Sequence, residues 1–424
     1  MRKIKLPQNS LHSGELTPNA YAQDGLAAYA RGVKSLQNWN LLIEGGVERR
    51  WGTEWIATLP GEARTAPFRF NESQQYIFVF SNLRLDVYSF DDSDPDVLPV
   101  TTFVQTVTTN ADWTTALLKT LRWASSGDTM FLCDGTGAQI MKEIERTSAT
   151  TFTISDFAFE AHSSGAPTYQ PYHKYAPAAM TLAAAATTGN TNVTTSDDYF
   201  TTSHVGAIIR YIGQEATITA WNSATNVDVT VLETFAGTAA DTDWDIQVFN
   251  AENGYQMSVA LAEQRMIIGG GKDFPHGIWM SKTGAFRNFD VGTASADEMI
   301  DRPLDSGTIE TIRNIHISDN IEIFTDLAEH YIPLSVTQAL TPTFSPVLGP
   351  QDINGISAHV PPQTYDGATV FMQQTGMVLR EYLFNDGSDR YTSDGLSLLA
   401  THLFQNQDAT TGDDTPADIR GSTV

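Results

Sequence analysis

At 424 residues the chain is too long for one small domain; it allows either a single large β architecture or two to three domains. Hydrophobic residues are 41% and aromatics 10%, ample for packed cores, and with no run of 18 apolar residues no membrane-spanning segment is expected. Fifty acidic residues against 25 basic ones give a formal charge of −25, the wrong sign for a groove that grips phosphates.

The N-terminus, MRKIKLPQNS, is basic but has no apolar stretch behind it, so no secretion signal is expected. Gln23 to Trp39 places Leu26, Ala27, Tyr29, Ala30, Val33 and Leu36 at near-helical spacing, with Asp24 as N-cap, and predicts a short helix over residues 24–38. From about residue 64 the period changes to two. Tyr76 to Phe90 reads as a hairpin turning at Ser81-Asn82, followed by an acidic loop with Asp91, Asp92, Asp94 and Asp96. TMFLCDG, AQIMKEIER and TTFTISDF read as three consecutive antiparallel strands. The lone cysteine, Cys133, lies in the first of them and reads as a small buried hydrophobe.

Pro167 to Met180 reads as an extended connector. A self-contained β unit follows, with strands AIIRYI, EATITAW and NVDVTVLETF between Val205 and Phe235. Beyond it the earlier grammar resumes: strand, turn, apolar strand such as MIIGGG, IEIFTD or TVFMQQ, turn, strand. The turn after the apolar strand repeats as Cys133-Asp134-Gly135, Thr325-Asp326 and Gln374-Thr375-Gly376. Repeated meanders of this kind predict propeller blades, with separate β-sandwiches as the other option.

The expected fold class is therefore mainly β: propeller-like repeated meanders, a small inserted β-barrel or sandwich, and a short N-terminal helical segment. The expected organisation is an N-terminal docking segment over 1–60 and the first part of the propeller-like domain over 61–177. The insert covers 178–248, the second part of the propeller 249–404, and a polar tail 405–424.

Chemistry is sparse. The histidines, His12, His173, His204, His276, His316 and His402 among them, are scattered without metal-ligand spacing, so no metal site is expected. No G-x-S-x-G is present, and nothing nearby pairs Cys133 with a base, so no catalytic residue is expected and the chain is not read as an enzyme. Ile267 to Phe274 is glycine-rich but lacks the phosphate-loop spacing, and reads as a tight turn between strands. No cofactor is expected. The aspartates 91, 92, 94 and 96 could attract a cation or face a lumen, but lack the glycine and distal glutamate of a calcium loop; a solvated loop is the favoured reading.

Residues 10–57 carry a series of boxes: Gly14-Glu15-Leu16-Thr17-Pro18, Tyr29-Ala30-Arg31-Gly32, Asn38, Gly45-Gly46 and Arg49-Arg50-Trp51-Gly52-Thr53. Their order resembles the opening of the tail tubular, or nozzle, proteins of short-tailed bacteriophages, which usually have Pro where Trp51 stands. Ala262 to Asp290, Ile321 to Ile332 and Gly376 to Phe404 are similar to later stretches of that family. Members run on past the box at Thr401-His402-Leu403 with further blades, so the expectation is either a short member or a chain that lacks the remaining blades.

The resemblance implies a virion tail protein, made in the host cytoplasm, that forms a homo-oligomeric, hexameric ring below the portal and its adaptor. The ring would be a conduit for genome ejection and would dock tail fibres or spikes. Double-stranded DNA would pass without specific binding, along an acidic wall. Arg49 and Arg50 lie in an otherwise apolar run with Trp51 and Trp55. At least one of the two arginines is expected to pair with a carboxylate at a domain or subunit contact, where a planar guanidinium serves better than lysine. A solvated turn arginine is the alternative. The competing functional reading is a virion-associated or secreted β-propeller that binds or cleaves glycans, although the sialidase-type S-x-D-x-G-x-x-W box is missing, with Ser281 to Phe286 its nearest echo.

Overall fold

The computed structural model describes residues 8–21, 23, 25–91, 100–162, 168–293, 295–334, 339–343, 349–385, 387, 390–407 and 414–416. Among them there is no α-helix. The N-terminal region forms one short ladder, β1 (Trp39–Leu41) with β2 (Val47–Arg49). Two antiparallel meanders follow: β3 (Ala63–Asn71), β4 (Gln74–Ser81), β5 (Arg84–Asp91) and β6 (Val100–Val107), then β7 (Arg122–Ser126), β8 (Thr129–Cys133), β9 (Lys142–Ser148) and β10 (Thr151–Asp156).

A seven-stranded sheet is then built from β11 (Tyr172–His173), β12 (Leu182–Ala184), β13 (Asn190–Thr195), β14 (Ile208–Tyr211), β15 (Gln214–Ser223), β16 (Asn226–Val231) and β17 (Trp244–Gln247), in the order β11-β17-β14-β15-β16-β13-β12. It closes on its own core, which includes Leu182, Ile209, Tyr211, Val229 and Trp244.

Three more meanders follow. The third is β18 (Ser258–Ala262), β19 (Arg265–Gly269), β20 (Ile278–Met280) and β21 (Ile300–Asp301). The fourth has three strands, β22 (Ile312–Ile317), β23 (Ile321–Thr325) and β24 (Glu329–Ile332). The fifth is β25 (Gln363–Tyr365), β26 (Ala368–Met372), β27 (Leu379–Asn385) and β28 (Arg390–Gly395).

Period-two alternation decides how the meanders stack, because successive side chains leave a strand on opposite faces. On β8, Met130 and Leu132 join Phe68, Phe78 and Phe80 of the first meander in one core. Phe131 and Cys133, between and after them, join Met266, Ile268 and Trp279 of the third meander in another. Ile267 of β19 turns the other way and meets Ile321 and Ile323 of the fourth meander. Phe324 of β23 then meets Phe371, Tyr382 and Tyr391 of the fifth. The second, third and fourth meanders thus each pack one face on their predecessor and the other on their successor. The first strands converge: β18 lies between β7 and β22, and residues of β3, β7, β18, β22 and β25 line one cavity. Three- and four-stranded meanders stacked face to face around converging inner strands are the blades of a β-propeller. Cys133 is fully buried in this stack, where burial pushes its thiol well above the ordinary range.

The helix expected over 24–38 is replaced by a single 3₁₀ turn at Tyr29–Arg31; its proposed cap, Asp24, lies outside the described residues. Gly32 is the reason. It sits extended (φ −102, ψ 167), and a Cβ there would meet Leu16 Cδ1 at 2.3 Å. The main chain beside it pairs with the N-terminal box instead of with a helical turn: Ser13 N donates to Arg31 O, Val33 N to Gly14 O, and Leu16 N to Val33 O. Tertiary pairing outweighs a spacing that never buries its apolar face, since Ala27, Tyr29 and Ala30 remain exposed.

Candidate functional site

The boxes of the N-terminal region come together in space. Leu16 is buried against Gly32, and the bridge Glu15–Val33 joins the first two boxes. Leu11 N donates to Gly45 O at 2.8 Å, bringing in the Gly45-Gly46 box. Glu15 is the centre. Its Oε2 accepts from Leu36 N at 2.6 Å and its Oε1 lies 3.0 Å from His402 Nε2. The hydrogen bond with His402, then that from Leu36, holds the Glu15 carboxyl below the usual carboxylate range. Thr17 N also donates to Leu399 O at 2.8 Å, so the first boxes are tied to the Thr401-His402-Leu403 box at the other end of the chain.

From this docked base the segment 39–59 runs on as an arm. Its apolar residues are not buried: Trp39 is 50% exposed, Ile43 100%, Trp51 84% and Trp55 75%. Arg49 ends β2 opposite Trp39, and Arg50 N donates to Asn38 O, so the ladder fixes both backbones. Both side chains are exposed, and neither makes an ion pair within the chain among the described residues. The expected pairing is therefore not made among the described residues. Residues 51–59 take part in no ladder.

The end of the arm lies against the first meander. Ile56 and Leu59 line an apolar cleft of about 370 Å³ with Pro67, Ile77, Val79 and Tyr88. Those four lie on the face of the meander opposite the core formed by Phe68, Phe78 and Phe80. Phe103 on β6 is 53% exposed. At the far end of the stack the fifth meander likewise keeps apolar residues outside, with Leu383 48%, Leu396 51% and Leu403 55% exposed. Four cores join the five meanders in series, and no such core joins the fifth to the first among the described residues.

Asp91 ends β5 at the surface, while Asp92, Asp94 and Asp96 lie outside the described residues. No group of three or more His, Cys, Asp or Glu placed to hold a metal occurs among the described residues. Gly270 and Gly271 join β19 to β20, and a strand rather than a helix follows, as expected for a turn and not a phosphate loop. Two features escaped the sequence: the arginines Arg64 and Arg122 buried at the convergence of the meanders, and Glu322 and Glu329 buried between the fourth and fifth.

No family model matches the chain, and no curated protein matches it. Among solved structures it is similar to a 6-phosphogluconolactonase-like protein from Bacteroides uniformis, at 13% identity over 76% of this chain and 81% of that one, with a TM-score of 0.34. Sqt1 from Chaetomium thermophilum aligns at 12% identity over 75% and 70%, with a TM-score of 0.32. Hsv2p from Kluyveromyces lactis aligns at 9% over 78% and 97%, with a TM-score of 0.30. Likenesses this low carry no argument about activity, and the propeller assignment rests on the stacking of the meanders described above.

Proposed function

We propose that this chain is a structural, non-catalytic subunit of the tail tube of a short-tailed phage, closing with copies of itself into a ring through which the genome leaves. The observation that carries the reading is the arm: the segment bearing the family-like boxes is anchored at its base and presents Trp39, Ile43, Trp51 and Trp55 to solvent. Large apolar side chains left out in this number mark a surface made for a protein partner. The open outer faces of the first and fifth meanders support the same reading, because a stack with two apolar ends gains by meeting a neighbour. A cyclic ring needs heterologous contacts that close on themselves, and an arm that leaves one subunit for the next is such a contact. Arg49 and Arg50, without an ion pair among the described residues, then meet carboxylates of the neighbour, whose surface is acidic.

The test is the mass and shape of the purified full chain, alone and with a portal–adaptor complex, by native mass spectrometry and negative-stain imaging. A closed ring, hexameric in the favoured case, is expected. The pair Trp51→Ser and Trp55→Ser removes two anchors, each of a kind that contributes on the order of 2 kcal/mol or more to an interface, and should leave folded monomers. A chain that stays monomeric with and without portal and adaptor overturns the proposal.

A further inference from the structure

Where the five inner strands converge, the polar groups are not balanced. A cavity of about 140 Å³ is lined by Arg64 of β3, Arg122 of β7, Ser258 of β18, Asn314 of β22 and Gln363 of β25. That is room for several waters or one small ion, since a single water needs about 10–15 Å³ on this measure. Arg64 and Arg122 are 5% and 4% exposed. Neither makes an ion pair with a carboxylate among the described residues, although acids outnumber bases two to one over the whole chain.

The two arginines are held differently. Arg122 spends its donors on carbonyls: Nη1 on Thr120 and Leu121, Nε on Arg313 at 3.2 Å, and Nη2 on Ala358 at 2.7 Å. It ties the second meander to the fourth and to the segment entering the fifth, and keeps its charge in place. Arg64 is only half engaged. Its Nη1 donates to Leu118 O and Lys119 O, and its guanidinium lies 4.8 Å from the Trp123 ring centroid. Its Nε and Nη2 are buried without a hydrogen-bond partner among the described residues. Those two N–H groups share the edge of the guanidinium that grips a carboxylate or phosphate side-on with two parallel hydrogen bonds.

Burial lowers the Arg64 pKa to about 10, and burial together with the nearby Arg64 and Arg313 lowers that of Arg122 to about 9. Both therefore stay charged at neutral pH. Two buried cations without a counter-charge are expensive, and a free donor edge beside a polar cavity adds the cost of unmade hydrogen bonds. A bound anion relieves both at once.

We propose that the axial cavity of the stack is a binding site for one small oxyanion, a phosphate or a carboxylate, gripped by Nε and Nη2 of Arg64 with Arg122 supplying the second positive charge. The site is independent of the ring proposed above; it needs only the folded subunit.

The full chain is heated in sodium phosphate, in sodium acetate and in sodium chloride at matched ionic strength, and phosphate and acetate are titrated calorimetrically. Saturable binding of one anion per subunit is expected, with the midpoint raised by about 1–2 °C over chloride at roughly ten times Kd. The arm that responds tells whether the ligand is a phosphate or a carboxylate. Arg64→Leu should melt higher than the parent in chloride and lose the response; Arg64→Lys, which keeps the charge without the fork, should bind at least about tenfold more weakly. Crystals of the unaltered protein soaked in selenate should show the anomalous peak within hydrogen-bond distance of Arg64. No response to either anion overturns the proposal, as does a response that survives in Arg64→Leu. If that variant does not fold, a selenate peak absent from the cavity overturns it.

Discussion

Glu322 on β23 and Glu329 at the start of β24 are 1% and 0% exposed, inside the aromatic core shared by the fourth and fifth meanders. Glu322 Oε1 accepts from Ser318 Oγ at 2.7 Å and Thr369 also lies against the carboxyl, while Glu329 Oε1 and the nearby Tyr382 hydroxyl have no hydrogen-bond partner among the described residues. Burial first, with Asp319 near Glu322 and Asp352 near Glu329 adding to it and Arg380 opposing it at Glu329, raises both carboxyls to about 7. In the unfolded chain they ionise near 4.3. Below that pH both states are protonated and the core carries no charge. As pH rises the unfolded chain releases its protons first, so stability falls until the folded groups ionise too, near 7. The gap corresponds to roughly 3–4 kcal/mol per group. Glu322→Gln, which can still accept from Ser318, should therefore raise the urea midpoint relative to the parent at pH 8 and give no gain at pH 4. An equal effect at both values would sink the account. Nothing in IEIFTDLAEHYI announces these burials: a glutamate between apolar residues reads as outward-facing in a strand open on one side, and only the fifth meander's packing on that face reverses it.

At the level of the element, the strands were legible because alternation and turn chemistry agreed. TMFLCDG became β8 with its turn, and the structure shows why that turn closes so firmly. The Asp134 carboxylate accepts from the backbone N–H groups of Thr136, Gly137, Ala138 and Gln139 and from Thr136 Oγ1. Gly135 takes φ +73, and a Cβ there would lie 2.0 Å from Thr120 O. Asp134→Ala removes the acceptor of four backbone donors, of which Gly137's is buried, and should cost about 1–3 kcal/mol. Gly135→Ala should cost at least about 1–2 kcal/mol through the left-handed backbone and the clash. Unfolding midpoints within error of the parent for either change would show the turn to be incidental. The helical reading of 24–38 failed because periodicity reports a face without saying whether anything covers it. There the backbone was claimed by residues 13–16, a pairing no local window contains. The axial arginines were hidden for the same reason: in ARTAPFRF and TLRWASS they occupy ordinary alternating positions, and their juxtaposition is made by the stacking of whole meanders.

For the whole molecule, the arm could be read in part. Trp51 and Trp55 beside Arg49 and Arg50 stood out in the sequence as a candidate contact, but their exposure is a property of the folded chain. The charge then sets terms for any assembly. Six copies at −25 give about −150, so closure of the proposed ring would work against like-charge repulsion while apolar arms would draw the subunits together. Repulsion is screened over a Debye length of about 10 Å at 0.1 M salt and about 3 Å at 1 M, whereas apolar burial is not screened. Raising salt from about 0.05 to 0.5 M should therefore strengthen oligomerisation. A ring held mainly by ion pairs of Arg49 and Arg50 would weaken instead, so the sign of the salt effect separates the two contributions. The same charge governs the bore. A basic wall would hold duplex DNA through counterion release and resist its sliding, while an acidic one leaves the duplex in its own hydration shell. The ring's wall is proposed to be net negative, with the positive charge of Arg64 and Arg122 kept inside each subunit, away from any duplex. Neither the free chain nor the ring should shift a duplex in a gel assay at physiological salt. A retained fraction, particularly one that falls steeply as salt is raised, would mean that the subunit presents a phosphate-binding surface and that an acidic conduit is the wrong picture.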